Sequence, residues 1–82
     1  MKQILYFSGK FCGPCRSFTP TMENISRQVV VNFVDVENDP QLVAEYGVQS
    51  VPTLVFLKNG QMLDKKVGVM SEQQVLNIYN SL

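Results

Sequence analysis

Ile4-Leu5-Tyr6-Phe7-Ser8-Gly9-Lys10-Phe11-Cys12-Gly13-Pro14-Cys15 runs from an uninterrupted apolar tetrapeptide, through a polar turn, into two cysteines that flank Gly-Pro. Successive side chains of a strand point to opposite faces of a sheet, so four consecutive apolar residues fit a central strand buried on both sides. Ser8-Gly9-Lys10-Phe11 then turns the chain into a helix. Its signature is the recurrence of Cys15, Phe18, Met22, Ile25 and Val29 at three- and four-residue steps, a single apolar stripe. Pro20 lies inside that stripe and predicts a bend, because it cannot donate to the carbonyl of Arg16. The β-branched run from Val29 to Val36 reads as a second strand.

Working outward, Asn38-Asp39-Pro40 supplies a side-chain cap with proline in the first helical turn, and Gly47 stops a short helix. Thr53–Leu57 and Met62–Val67 are strands joined across Asn59-Gly60, a strong hairpin signal. Ser71 with Gln74 forms a capping box for a last helix, whose Val75, Leu76, Ile78, Tyr79 and Leu82 face the core. The order is βαβαββα, an α/β fold with one parallel crossover and one hairpin. Neither a linker nor a repeat divides it, so residues 1–82 are expected to form one domain.

Composition narrows the function. With 45% hydrophobic and 17% charged residues, the chain has the material for a packed core. Seven basic and seven acidic residues cancel, which argues against nucleic acid or an anionic membrane as partner, since those need a concentrated basic face. Lys65-Lys66 is too short to serve as one. The apolar run at Ile4–Phe7 is too short for a signal peptide, and no stretch approaches a membrane span. Two cysteines without a leader point to a reducing, cytoplasmic setting and a working dithiol.

Zinc would need four ligands, and a chain with no histidine and only two cysteines offers half a site. Inert core cysteines fit poorly with Gly-Pro at a helix start, which is expected to leave the first sulfur facing solvent. Redox chemistry remains. Unpaired N–H groups at the helix start favour a thiolate at Cys12, within the range of ~3.5–7.5 found for activated thiols. Cys15 begins the buried stripe and is better shielded. Cys12 is therefore the expected nucleophile toward a disulfide, and Cys15 the residue that resolves the mixed disulfide. Pro52 reads either as a turn proline before an edge strand or as a cis Val51-Pro52 bond presenting the Val51 backbone to a partner.

Phe11-Cys12-Gly13-Pro14-Cys15, Tyr46-Gly47-Val48-Gln49-Ser50-Val51-Pro52-Thr53, Lys58-Asn59-Gly60 and Val67-Gly68 together resemble the thioredoxin family over nearly the whole chain. The resemblance implies a four-stranded mixed sheet flanked by three helices, with the dithiol at a strand-to-helix junction. It also implies a cis Pro52 beside the dithiol, and a partner-docking surface that includes Phe11, Gly13, Pro14, Val36, Val51, Pro52, Val67 and Gly68. As bare residues the valines read as core, where valine is commonly found. No bound cofactor is implied; the Cys12–Cys15 pair would be recharged by an NADPH-dependent thioredoxin reductase.

The chain also departs from the family pattern. It begins at what looks like the family's second strand. Met1 reads as a true start, so a compact version of glutaredoxin-like size is expected. Tyr6 stands where the family usually carries a buried aspartate, and Phe33 replaces the lysine often paired with it, which removes an acid–base helper for Cys15. Phe11 and Ser8 occupy two usual tryptophan positions. The resulting expectation is a small cytoplasmic, monomeric electron carrier that reduces disulfide-containing client proteins, such as a reductive enzyme. Two rivals are a glutaredoxin-like reductant recharged by glutathione, and a non-catalytic subunit of this fold docked on a larger enzyme. The segment after Gly68 lacks the acidic, glycine-rich pattern that glutaredoxins use for glutathione.

Overall fold

The apolar tetrapeptide forms the middle of strand β1 (Lys2–Ser8) in the computed structural model, which describes all 82 residues. It is followed by α1 (Gly13–Ile25), β2 (Val31–Asp35), α2 (Pro40–Glu45), β3 (Thr53–Lys58), β4 (Gln61–Val67) and α3 (Glu72–Asn80). The sheet order is β2-β1-β3-β4. β1 runs parallel to β2, as a helical crossover requires, and antiparallel to β3, which pairs antiparallel with β4.

Burial on both faces of β1 divides the core. Ile4 and Tyr6 join Leu54 and Phe56 of β3 under Phe18, Met22 and Ile25 of α1 and Val75 of α3. Leu5 and Phe7 join Val34, Val55 and Leu57 on the opposite face, where Leu42 and Val43 of α2 and its C-cap Tyr46 pack. The faces are unequally covered. Two longer helices shield the first, whereas the second has only the six-residue α2, none of whose residues is itself buried.

Local signals act where the sequence puts them. Asp39 caps α2 through the N–H of Leu42, and Gly47 ends it at a φ of 62°. Asn59 and Gly60 both take positive φ, 53° and 82°, as a tight hairpin demands. Ser71 and Gln74 form the reciprocal capping box of α3. α1 continues through Pro20.

The end of α1 differs from expectation. The helix stops at Ile25, and β2 begins at Val31 instead of Val29. Val29 still packs against the core and its N–H reaches the Ile25 carbonyl at 3.1 Å, but the chain is already turning. It must reverse there so that Val31 can lie beside Ile4. β4 carries a second irregularity: its register shifts between Phe56 and Leu57, so that Leu57 faces Met62 while Phe56 faces Asp64.

Phe18 ties α1 to the sheet through an edge-on contact with Tyr6, ring centroids 5.5 Å apart. Truncating it leaves a cavity between helix and sheet. Phe18→Ala should cost about 3–5 kcal/mol, a large share of the roughly 5–15 kcal/mol that holds a domain folded. Val67→Ala, at an exposed position, should change stability by less than about 0.5 kcal/mol. Urea denaturation of both variants checks the contrast.

Candidate active site

The N-cap of α1 is Cys12, whose extended backbone leaves its sulfur facing the first helical turn. There the Sγ atom accepts the N–H of Cys15 at 3.1 Å. Such a bond strengthens when the sulfur carries negative charge, so the geometry favours a thiolate once the pair is reduced. In this structure Cys12 and Cys15 form a disulfide with Cα atoms 5.2 Å apart, within the ordinary range for such bridges. Cys12 is 9% exposed and Cys15 3%. The first sulfur is therefore the more accessible, but it is more deeply set than expected, because it folds back onto the helix start as its cap.

One end of the sheet gathers the remaining candidates. Phe7 of β1 pairs with Thr53, and Thr53 with Val67, while Ser8 pairs with Asp35 next to Val36. These positions surround the point where β1 delivers the chain to the dithiol. The link is Gly9: its carbonyl accepts the N–H of Cys12 at 3.3 Å. A Cβ placed on Gly9 would sit 3.6 Å from Val36 and 3.9 Å from Val51. Val51-Pro52 is cis, and the Pro52 carbonyl accepts the N–H of Gly68 at 2.9 Å. Thr53, the only buried polar residue, donates its hydroxyl to the Ser50 carbonyl at 2.7 Å.

The three valines are not fully buried as their type suggests. Val67 is 65% exposed and Phe11 91%, Gly13 and Pro14 lie on the surface, and Val36 and Val51 are half-buried. An open groove of about 350 Å³ is lined by Val36, Val43, Val48, Gln49, Ser50 and Val51. Three residues that shape this end were given no part in the site by the sequence: Gly9, Thr53 and Lys65, the last read only as half of a short basic pair. Gly9 is visible only as a turn glycine, and Thr53 only as the residue after Pro52.

Behind the dithiol stands Tyr6. Its hydroxyl lies 2.9 Å from the Thr19 hydroxyl and donates to the Cys15 carbonyl at 3.3 Å. Its ring meets Phe33, the register partner on β2, edge-on at 5.7 Å. Two aromatic rings thus occupy adjoining positions on neighbouring strands. Burial pushes the Tyr6 phenol above its ordinary value of 10.0, and the Thr19 hydrogen bond offsets this in part. No three His, Cys, Asp or Glu side chains converge as a metal site would need, and no helix is long and apolar enough to cross a membrane.

A model of the thioredoxin family matches residues 1–81. The chain belongs to the thioredoxin family. A thioredoxin from Rickettsia felis is 33% identical over 81 residues, covering 94% of this chain and 77% of that protein. Mitochondrial thioredoxin from Mus musculus is 37% identical over 76 residues, covering 88% of this chain and 46% of that one. Among solved structures, a mutant thioredoxin from Halobacterium salinarum superposes with a TM-score of 0.92 at 30% identity, covering 98% of this chain and 73% of that one. With its redox-capable cysteine pair, this thioredoxin-family chain is a thiol-disulfide oxidoreductase that acts on protein disulfides.

The Tyr6 geometry makes a signed prediction. Tyr6→Phe loses both hydroxyl contacts and should cost about 1 kcal/mol at neutral pH. A phenol whose folded pKa is raised keeps its proton in the native state after the unfolded chain has lost it, so its stabilising contribution fades as pH climbs past 10. Tyr46, raised by burial and by the neighbouring Glu45, contributes in the same direction in both proteins. The gap between wild type and Tyr6→Phe should therefore narrow between pH 10 and pH 11, read by urea denaturation at each pH. A gap that widens would mean that Tyr6 ionises more easily when folded.

Proposed function

We propose that this thioredoxin-family protein is a cytoplasmic general reductant of client proteins, with Cys12 as nucleophile and Cys15 as resolving residue. The observation that carries the assignment is the Cys15 N–H directed at the Cys12 sulfur, together with the greater accessibility of Cys12. The Cys12 thiolate attacks one sulfur of a client disulfide. A mixed disulfide forms, and the departing client thiolate takes up a proton. The Cys15 thiolate then attacks the Cys12 sulfur, the second client thiolate leaves, and Cys12–Cys15 closes as a disulfide. Two electrons pass to the client, and an NADPH-dependent thioredoxin reductase returns two to the dithiol.

The docking surface in this reading is the rim described above: Phe11, Gly13 and Pro14 from the α1 entrance, Val36 from the end of β2, Val51 and Pro52 from the cis loop, and Val67 and Gly68 from β4. Phe11 and Val67, at 91% and 65% exposure, suit transient burial by a client segment. Pro52 is itself buried and shapes the loop, and the Val51 backbone beside the cis bond offers hydrogen bonds to an extended chain. With a tyrosine in place of a buried carboxylate behind Cys15, water or the departing client thiolate must take the proton from Cys15.

Brief iodoacetamide treatment of the reduced protein near neutral pH, followed by peptide mapping, should label Cys12 well before Cys15. Labelling of Cys15 first would reverse the two roles. Turbidity from insulin reduction should appear with thioredoxin reductase and NADPH, run far slower with glutathione alone, and vanish in Cys12→Ser. Efficient turnover on glutathione would favour the glutaredoxin-like rival. No turnover with either system would favour a docked subunit.

A further inference from the structure

Lys65 reaches from β4 across to the end of α2. Its register partner is Val55, so its side chain lies on the face that α2 covers. The ammonium donates to the carbonyls of Tyr46 at 3.3 Å and Gly47 at 3.2 Å. The Tyr46 carbonyl is one that the helix leaves unpaired at its C-cap, and Gly47 follows directly after it, where the helix dipole also favours a cation. α2 provides no basic residue in its own last turn, and with six residues it is too short to hold itself by intrahelical bonds. The cation that completes it comes from another strand.

The tie falls at a junction. Immediately after Gly47 comes the Val48–Val51 segment, which leads into the cis bond. Lys65 lines a hollow of about 90 Å³ on one side of this segment together with Gly47, Val48, Gln49, Ser50 and Val67. The larger Val36–Val43–Val51 groove lies against the same residues. The segment is thus a wall common to both. Its far end is fixed by Thr53 at Ser50 and by Gly68 at Pro52. Its near end is fixed by the Val48 N–H to the Val43 carbonyl at 2.9 Å and by Lys65.

We propose that Lys65 is a positioning residue for protein clients: by tying the end of α2 to β4, it holds the Val48–Val51 wall in the shape on which a client docks. This rests on the functional reading above, in which Val51, at the end of that segment, is part of the rim that receives the client. Lys66 is the internal control. One residue along, it sits within 3.8 Å of Asp64 on its own strand and faces the other side of the sheet.

The test compares Lys65→Met, Lys65→Arg and Lys66→Met in insulin reduction, in reduction of dithiobis(nitrobenzoic acid), and in amide hydrogen exchange. For Lys65→Met, KM for insulin should rise about three- to tenfold with kcat unchanged, as expected for a lost charge-assisted tie at a helix end. The rate on the small disulfide, which needs no groove, should not change. Exchange at Val48 should accelerate by a similar factor. Lys65→Arg should restore KM, and Lys66→Met should match wild type in all three. An unchanged insulin KM, an unchanged Val48 exchange rate, or an equal fall on both substrates in Lys65→Met overturns this inference while wild-type turnover stands. Absence of wild-type insulin turnover overturns the functional reading and this inference with it.

Discussion

Hiding Ile4, Leu5, Tyr6 and Phe7 from water on both sides at once is the constraint on which the remainder of the structure depends. Because successive side chains of a strand alternate, no single layer can cover all four. The chain must place helices on both faces, and the parallel β1–β2 pair then requires the crossover through α1. That crossover brings the chain off the end of β1 directly into Cys12 and Cys15. The dithiol's location is thus a consequence of packing: the helix that shields Ile4 and Tyr6 is the one whose start receives the sulfur.

Polar economy explains why the site can sit so close to the core. Thr53 is the one buried polar residue, and its hydroxyl serves the loop that carries the cis bond. Tyr6 spans the boundary, its ring in the core and its hydroxyl on the first turns of α1. A buried carboxylate in its place would need desolvation of a charge with no cation beside it, since Phe33 occupies the adjoining position. The aromatic pair removes that cost, and with it a proton acceptor near Cys15.

Much of this was legible in the residues. The run Ile4–Phe7, the Asp39-Pro40 cap, the Asn59-Gly60 turn and the Ser71–Gln74 box each act locally, so each element appears where its signal lies. The Cys12–Cys15 pair was equally plain, and the family pattern carried Pro52 to its cis form. What escaped depends on register and on relief. Counting outward from the Asn59-Gly60 turn would set Lys65 opposite Leu54, facing α1. The bulge at Phe56/Leu57 moves it opposite Val55, facing α2. No pattern of residue types announces that one-residue shift. The setting of the Cys12 sulfur escaped for a related reason: a cysteine acting as its own helix cap is a matter of backbone angles, and composition is silent about them.

The unequal cover of the two faces divides the molecule into parts of different firmness. Opening α2 exposes no fully buried residue of its own, whereas displacing α1 would expose Phe18, Met22 and Ile25 together. Local opening follows such differences, with thinly packed segments separating from the fold at the lowest free-energy cost. α2 therefore separates first, while the strand and helix that carry the sulfurs keep their geometry. The reactive pair is thus mounted on the firmest part of the molecule, and the tie from Lys65 falls where the fold has least packing of its own to rely on.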